Sequence, residues 1–137
     1  MKPIVLDTGP LVALLNRRDA FHGWVRDVLD DVEPPVFTCE PVIGEACFLL
    51  RNVRGGPDAV LDLVEREIVR IDFHLDAELA PVRTLMKKFA SIPMSLADAC
   101  VVRMTELEPR SLVMTLDDDF RIYRRNRRQL IPMITPT

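Results

Sequence analysis

The sequence has few of the residues that mark secreted, membrane or zinc-binding proteins. Only three of its 137 residues are cysteine and two are histidine. Because three is an odd number and no Cys-X-X-Cys pair occurs, a disulfide framework and a cysteine metal clip are both disfavoured. The apolar stretches are too short for a signal sequence or a membrane span, and the first of them stops at Asp7. We therefore expect a cytoplasmic protein without membrane contact.

Compositional extremes are absent as well. The sequence is 48% hydrophobic and 28% charged, which is ordinary for a globular protein and unlike a disordered chain. It contains no repeat, linker or low-complexity segment, and its length is common for one domain. We expect residues 1–137 to form a single domain.

The charge distribution points to one basic patch on an acidic protein. The net charge is -3, but nucleic acids respond to local patches rather than to the average charge. Near the C-terminal end, Tyr123 is interleaved with five arginines: Arg121, Arg124, Arg125, Arg127 and Arg128. This segment can bind RNA phosphates or stack on a base. A solvated helix face that balances nearby acids explains it equally well.

Short apolar runs alternate with segments of helical spacing along the sequence. The runs predict strands over residues 3–6, 36–38, 68–71, 112–115 and 131–134. The helical spacing predicts a helix starting at Thr8, a short one near Phe120, and others over about 21–31, 41–53, 58–66, 79–89 and 95–107. Such alternation is typical of parallel strands joined by helical crossovers. We expect an α/β fold with three layers, α/β/α.

Two acidic residues stand at the ends of predicted strands. Asp7 and Asp117 each follow an apolar run directly, at the position where parallel sheets form ligand crevices. If the first and fourth strands are neighbours, both carboxylates point into one crevice. Local structure offers another explanation for each. Asp7 suits a strand-to-helix turn, and Asp117 begins a run of three acids that suits a solvated turn or a helix N-terminus.

Two further acids lie on apolar helices. Glu45 projects from the margin of an apolar helix face and is expected to be partly buried, and Asp98 lies on a helix that is apolar almost all round. Acids in such places are unusual unless they are paired, capped or bound to a cation. Glu45 can instead pair with Arg51. The spacing of Ser95 and Asp98 is that of a capping box.

The four acids together suggest a divalent metal ion. If they gather within about 5 Å, each ionised pair repels by roughly 3 kcal/mol at an effective dielectric near 20, which favours a bound cation. Oxygen ligands suit Mg²⁺ or Mn²⁺. No His or Cys group is spaced for zinc, and His22 and His74 have no acid–base partner nearby in the sequence.

Five short motifs also follow one another in a recognisable order. They are IVLDTGPLVAL at residues 4–14, Asp19 with His22 and Trp24, Glu45 in its apolar helix, SLADA at 95–99, and TLDDDF at 115–120. With these motifs the sequence resembles the PIN (PilT N-terminal) domain nucleases, particularly the VapC-like toxins of type II toxin–antitoxin systems. The resemblance spans the whole chain.

The resemblance implies a site and a reaction. The implied fold has a parallel five-stranded sheet between helices. The implied catalytic residues and ligands of one or two Mg²⁺ or Mn²⁺ ions are Asp7, Glu45, Asp98 and Asp117. The implied supporting residues are Thr8, Ser95, Thr115 and Asp119. The implied reaction is hydrolysis of RNA phosphodiester bonds by metal-activated water. Asp117 is preferred over Asp119 as a ligand because it is nearer the strand, but both stay open.

The resemblance also implies partners. They are the RNA substrate, a cognate antitoxin and a second copy of the chain, for which helices near Asp31 and Phe89 could supply an apolar contact. Two alternatives remain: a housekeeping RNA-processing nuclease, and an RNA- or protein-binding module with little turnover. A phosphatase with Asp7 as nucleophile is disfavoured, because Gly9 stands where such enzymes usually have a second Asp.

Overall fold

The computed structural model describes residues 1–136, in which five short strands alternate with six helices. The strands are β1 (Ile4–Leu6), β2 (Val36–Thr38), β3 (Val69–Ile71), β4 (Leu112–Met114) and β5 (Met133–Ile134). The helices are α1 (Thr8–Leu15), α2 (His22–Asp30), α3 (Glu40–Leu49), α4 (Gly56–Glu65), α5 (Leu79–Lys88) and α6 (Leu96–Leu107). A short 3₁₀ helix covers Asp118–Arg121.

The five strands form one parallel sheet in the order β3-β2-β1-β4-β5. Parallel strands need crossover connections. α1 and α2 join β1 to β2, α3 and α4 join β2 to β3, and α5 and α6 join β3 to β4, whereas the segment from β4 to β5 contains only the 3₁₀ helix. The predicted α/β class with a parallel five-stranded sheet is therefore confirmed. β1 and β4 are neighbours, with Val5 opposite Val113, which chain order alone left open. The N–H of Asp7 donates to the carbonyl of Met114 at 3.1 Å, so the two strands end side by side.

The helices form a connected layer of contacts around the sheet. α1 contacts α2, α3 and α4, and α3 also contacts α4. α6 contacts α3 and α5 and lies against β1 and β4. As its composition predicts, α6 is the central helix, with seven buried residues: Ala97, Ala99, Cys100, Val101, Val102, Met104 and Thr105. Asp98 is only partly buried among them. The buried residues around Asp98 on α6 therefore fix the position of this candidate site residue. Within residues 1–136, no helix is long and apolar enough to cross a membrane.

Some predicted boundaries are wrong. The helix expected over 41–53 ends at Leu49 and is followed by a turn segment, whose last residue, Gly55, has a φ of 69° in the left-handed region and precedes α4. The last strand has two residues rather than four, and the helix near Phe120 is a single 3₁₀ turn. Phe89 is buried against the ring of Tyr123, so its own side chain is not exposed for the dimer contact expected from the helices near Asp31 and Phe89, and that contact stays a prediction.

Gly56 begins α4 in close contact with Leu50. A Cβ atom at Gly56 would lie 2.5 Å from the carbonyl oxygen of Leu50, closer than atoms approach without a shift of the backbone. We expect Gly56→Ala to lower the free energy of unfolding by about 1–3 kcal/mol, as overpacking does. Gly44→Ala is the matched control, because its surroundings are open and it lies inside α3. That variant should gain up to about 1 kcal/mol. If urea denaturation gave the same change of midpoint for both variants, the close contact at Gly56 would be contradicted.

Candidate active site

One cavity brings the predicted acids together at the carboxyl ends of β1 and β4. Its volume is about 520 Å³. Its lining consists of Asp7, Thr8, Gly9, Glu45, Leu49, Asp98, Leu116, Asp117 and Asp118. All four predicted carboxylates therefore face one space, although they come from β1, α3, α6 and the end of β4. This is where a parallel sheet places its ligand crevice.

The acids line the cavity without forming a closed cage. Within residues 1–136, no three His, Cys, Asp or Glu side chains are close enough to hold one ion between them. Mg²⁺ does not require such a cage, because it commonly binds through one or two carboxylates and keeps several waters. The donor chemistry of the cavity fits Mg²⁺ or Mn²⁺. It does not fit zinc, which is typically held by three or four closely spaced ligands.

Asp7 is the buried acid of the cavity, with 5% of its surface exposed. Its Oδ2 accepts a hydrogen bond of 2.8 Å from the hydroxyl of Thr115, a residue 108 positions away in the chain. The Thr115 oxygen in turn accepts a 3.0 Å hydrogen bond from the N–H of Asp117. Thr115, predicted as a supporting residue, thus connects the ends of β1 and β4.

The acids of the cavity influence one another's ionisation. Burial raises the pKa of Asp7 from 3.8 to about 7; the Thr115 hydroxyl opposes this rise, and the negative charges of Asp98 and Asp117 add to it. Burial and the same two charges also raise the pKa of Glu45. These acids are therefore close enough to repel one another through space. A cation between them would reverse these shifts.

Glu45 differs from its expected environment. The helical pattern predicts partial burial, but the residue is exposed to solvent. Arg51, its alternative partner, lies over the ring of Phe48 at 4.0 Å and donates to the carbonyl of Phe48. Glu45 is therefore a solvent-accessible part of the cavity lining.

Asp98 has both a structural role and a place in the cavity. Its N–H donates to the Ser95 hydroxyl at 3.0 Å, and its Oδ2 accepts from the Ser95 N–H at 3.2 Å, so the predicted capping box is present. The same Oδ2 accepts a 2.9 Å hydrogen bond from the hydroxyl of Tyr123. Burial raises the pKa of Tyr123 above its ordinary value, so this hydroxyl keeps its proton.

The three successive acids have different surroundings. Asp117 caps the 3₁₀ helix, and its Oδ1 accepts a 2.9 Å hydrogen bond from the N–H of Asp119. Asp118 lines the cavity, and its Oδ1 lies 3.4 Å from Nε of Arg121. Asp119 lies outside the cavity lining, and its pKa is raised by burial and by the charge of Asp117. This geometry favours Asp117 over Asp119 as a ligand.

Thr8 carries a buried hydroxyl that has no hydrogen-bond partner among the described residues, 1–136. Thr8 also lines the cavity beside Asp7. A buried polar group normally has a partner, so this hydroxyl is suited to a water or ligand held in the cavity.

The arginine-rich segment is only partly a surface. Arg125 is 3% exposed and donates to the carbonyls of Thr105 at 3.0 Å and Pro109 at 3.1 Å. Tyr123 is 0% exposed. Phosphate binding by Arg125 and base stacking by Tyr123 are therefore wrong as predictions. Arg124 is partly buried, and its guanidinium donates to three carbonyl groups of residues 121–123. RNA binding stays a prediction for the exposed arginines, which are Arg121, Arg127 and Arg128.

Comparisons with known proteins agree with this geometry. A family model described as the PIN domain matches residues 4–126, a span that includes all four predicted site acids. The crystal structure of Mycobacterium tuberculosis VapC20, described as a toxin that cleaves the sarcin-ricin loop, is similar with a TM-score of 0.70 and 26% sequence identity. The similarity covers 85% of this chain and 91% of that one. Comparison with curated proteins gives no match. The chain belongs to the PIN domain family and has a VapC-like fold.

Proposed function

We propose that the protein is a ribonuclease toxin that hydrolyses phosphodiester bonds of structured RNA with Mg²⁺ or Mn²⁺. The main support for this proposal is that all four predicted carboxylates line one cavity in a PIN domain. The similarity to a toxin described as cleaving the sarcin-ricin loop supports RNA as the substrate class.

The acids proposed to bind one or two such ions, directly or through bound water, are Asp7, Glu45, Asp98 and Asp117. Their oxygen donors, their mutual repulsion and the unpartnered Thr8 hydroxyl all fit a hard divalent cation. When bound, such an ion lowers the pKa of an attacking water and stabilises negative charge on the phosphate in the transition state.

The side chains of the protein supply the orientation. Thr115 fixes Asp7 through its hydroxyl, and the N–H of Asp119 fixes Asp117. Because Asp7 is buried, its interactions with a cation are screened less than those of a surface acid. Leu49 and Leu116 line the cavity beside the acids and provide apolar wall against which a nucleotide can pack.

The proposal includes a protein partner, because VapC-like toxins are paired with antitoxins. A cognate antitoxin would be needed to keep the nuclease inactive in the cell that makes it. The homodimer also stays a prediction, with a contact surface that does not depend on Phe89.

The test of the proposed function is metal removal. Chelator-stripped protein is expected to leave a structured RNA with a sarcin-ricin-type loop intact, and restored Mg²⁺ or Mn²⁺ should bring back cleavage by at least about 100-fold, as expected for the loss of metal-ion catalysis. Gel analysis of end-labelled RNA gives both the rate and the cleavage position. Cleavage that persists in chelator would contradict the proposal. Tight RNA binding without cleavage in every metal would favour the binding module, which the open arrangement of the acids makes the second candidate.

A further inference from the structure

We propose that Tyr123 is a positioning residue that holds Asp98 in the orientation needed to bind the divalent ion. This role rests on the proposed function. The role is inferred from the 2.9 Å hydrogen bond that the Tyr123 hydroxyl donates to Oδ2 of Asp98. Tyr123 lies 25 positions after Asp98 and outside the cavity lining.

Packing fixes the direction in which the Tyr123 hydroxyl points. The ring is 0% exposed and is held edge-on by Phe89 at 5.3 Å and by Phe120 at 5.2 Å between ring centroids. Edge-on aromatic packing of this kind is favourable and has a defined geometry. The hydroxyl therefore has little freedom to leave Asp98 for solvent.

The hydrogen bonds to Asp98 distinguish its two oxygens. Oδ2 accepts from both the Tyr123 hydroxyl and the Ser95 N–H, and Oδ1 takes part in neither bond. Groups that hydrogen-bond to a metal-binding carboxylate orient it and tune its affinity for the ion. Ser95 belongs to the start of the same helix, whereas Tyr123 comes from another part of the chain. Tyr123 therefore fixes Asp98 relative to the rest of the site.

The segment that carries Tyr123 also carries Asp117. The N–H of Tyr123 donates to the carbonyl of Asp119 at 3.0 Å, and the N–H of Asp119 donates to the Asp117 carboxylate. Arg125 then attaches the end of this segment to carbonyl groups near the end of α6. Residues 117–125 thus begin with one candidate ligand, contact the second through Tyr123, and are anchored on the helix that bears the second. This arrangement sets the separation of Asp98 and Asp117.

The first test removes only the hydroxyl. Tyr123→Phe keeps the ring packing, and we expect Mn²⁺ affinity measured by calorimetry to fall about tenfold, as for other partners of metal-binding residues. Cleavage should fall at low Mn²⁺ and recover at saturating Mn²⁺, because the change acts on metal binding. Thr84→Val is the matched control, since its hydroxyl on α5 donates to the Ala80 carbonyl and lies outside the cavity lining. Its Mn²⁺ affinity should stay within about twofold, as expected for a residue that touches no ligand.

The second test uses the fact that Tyr123 is the only tyrosine. Protein labelled with ¹³C at the tyrosine Cζ gives one resonance, which should shift on Asp98→Asn and on addition of Mg²⁺, but not on Asp62→Asn at the surface. An unmoved resonance together with wild-type Mn²⁺ affinity in Tyr123→Phe would overturn the positioning role alone. If the wild-type protein bound neither ion, the nuclease proposal would fail and the positioning role with it, even if Asp98→Asn still moved the resonance.

Discussion

Asp98→Asn is expected to reduce metal-dependent RNA cleavage by about 10²–10³-fold, the usual cost of losing one group that stabilises transition-state charge. The substitution removes a negative charge from the cavity and keeps the size of the side chain. An Asn side-chain oxygen can still accept from Ser95 and Tyr123, so the start of α6 should remain folded. Initial rates of RNA cleavage at saturating Mg²⁺ provide the measurement.

Asp62→Asn is the matched control for this loss. Asp62 is an exposed acid of α4 whose carboxylate pairs with Arg66 at 3.3 Å, and it lies outside the cavity lining. Exposed pairs of this kind contribute little to stability, so the control should cleave RNA at the wild-type rate. Equal cleavage by wild type, Asp98→Asn and Asp62→Asn would mean that the activity does not come from the four acids.

The fold could be predicted well from local pattern. The β2 strand at Val36–Thr38 matches the predicted residues, and the apolar composition of α6 indicates its central place. Local pattern does not give the order of the strands in the sheet, because that order depends on which distant segments pair. The contact between Thr115 and Asp7 is of that kind, since it joins residues 108 positions apart.

The candidate site was predictable to the extent that strand ends and apolar helices locate it. The prediction about Tyr123 failed because its sequence neighbours are arginines, which usually lie on a wet surface. In the structure, Arg125 has carbonyl partners on and just after α6, and Tyr123 has aromatic partners on two sides. Those partners come from elsewhere in the chain. The one feature of the sequence that indicates burial of Tyr123 is its position three residues after the apolar Phe120.

The second large effect concerns stability without metal. Burial raises the pKa of Asp7 from 3.8 to about 7, so the folded protein holds a proton there more tightly than the unfolded chain does. Ionised Asp7 therefore opposes folding, and the metal-free protein should lose stability as the pH rises from about 4 to about 7 and stay at the lower level above that. Asp7→Asn carries no charge at either pH. We expect it to be more stable than wild type by a few kcal/mol at pH 8, since one pKa unit corresponds to about 1.4 kcal/mol.

Urea denaturation in chelator at pH 4 and pH 8 measures this effect. The advantage of Asp7→Asn over wild type should be small at pH 4 and large at pH 8, whereas Asp62→Asn should show no such difference between the two pH values. An equal advantage at both pH values would mean that Asp7 does not change its ionisation in this range.

Added Mg²⁺ should stabilise wild type at pH 8 and stabilise Asp7→Asn much less, because a ligand that binds only the folded state raises its stability. A variant that is more stable and yet inactive would show that the buried charge at Asp7 is retained for binding the ion rather than for folding.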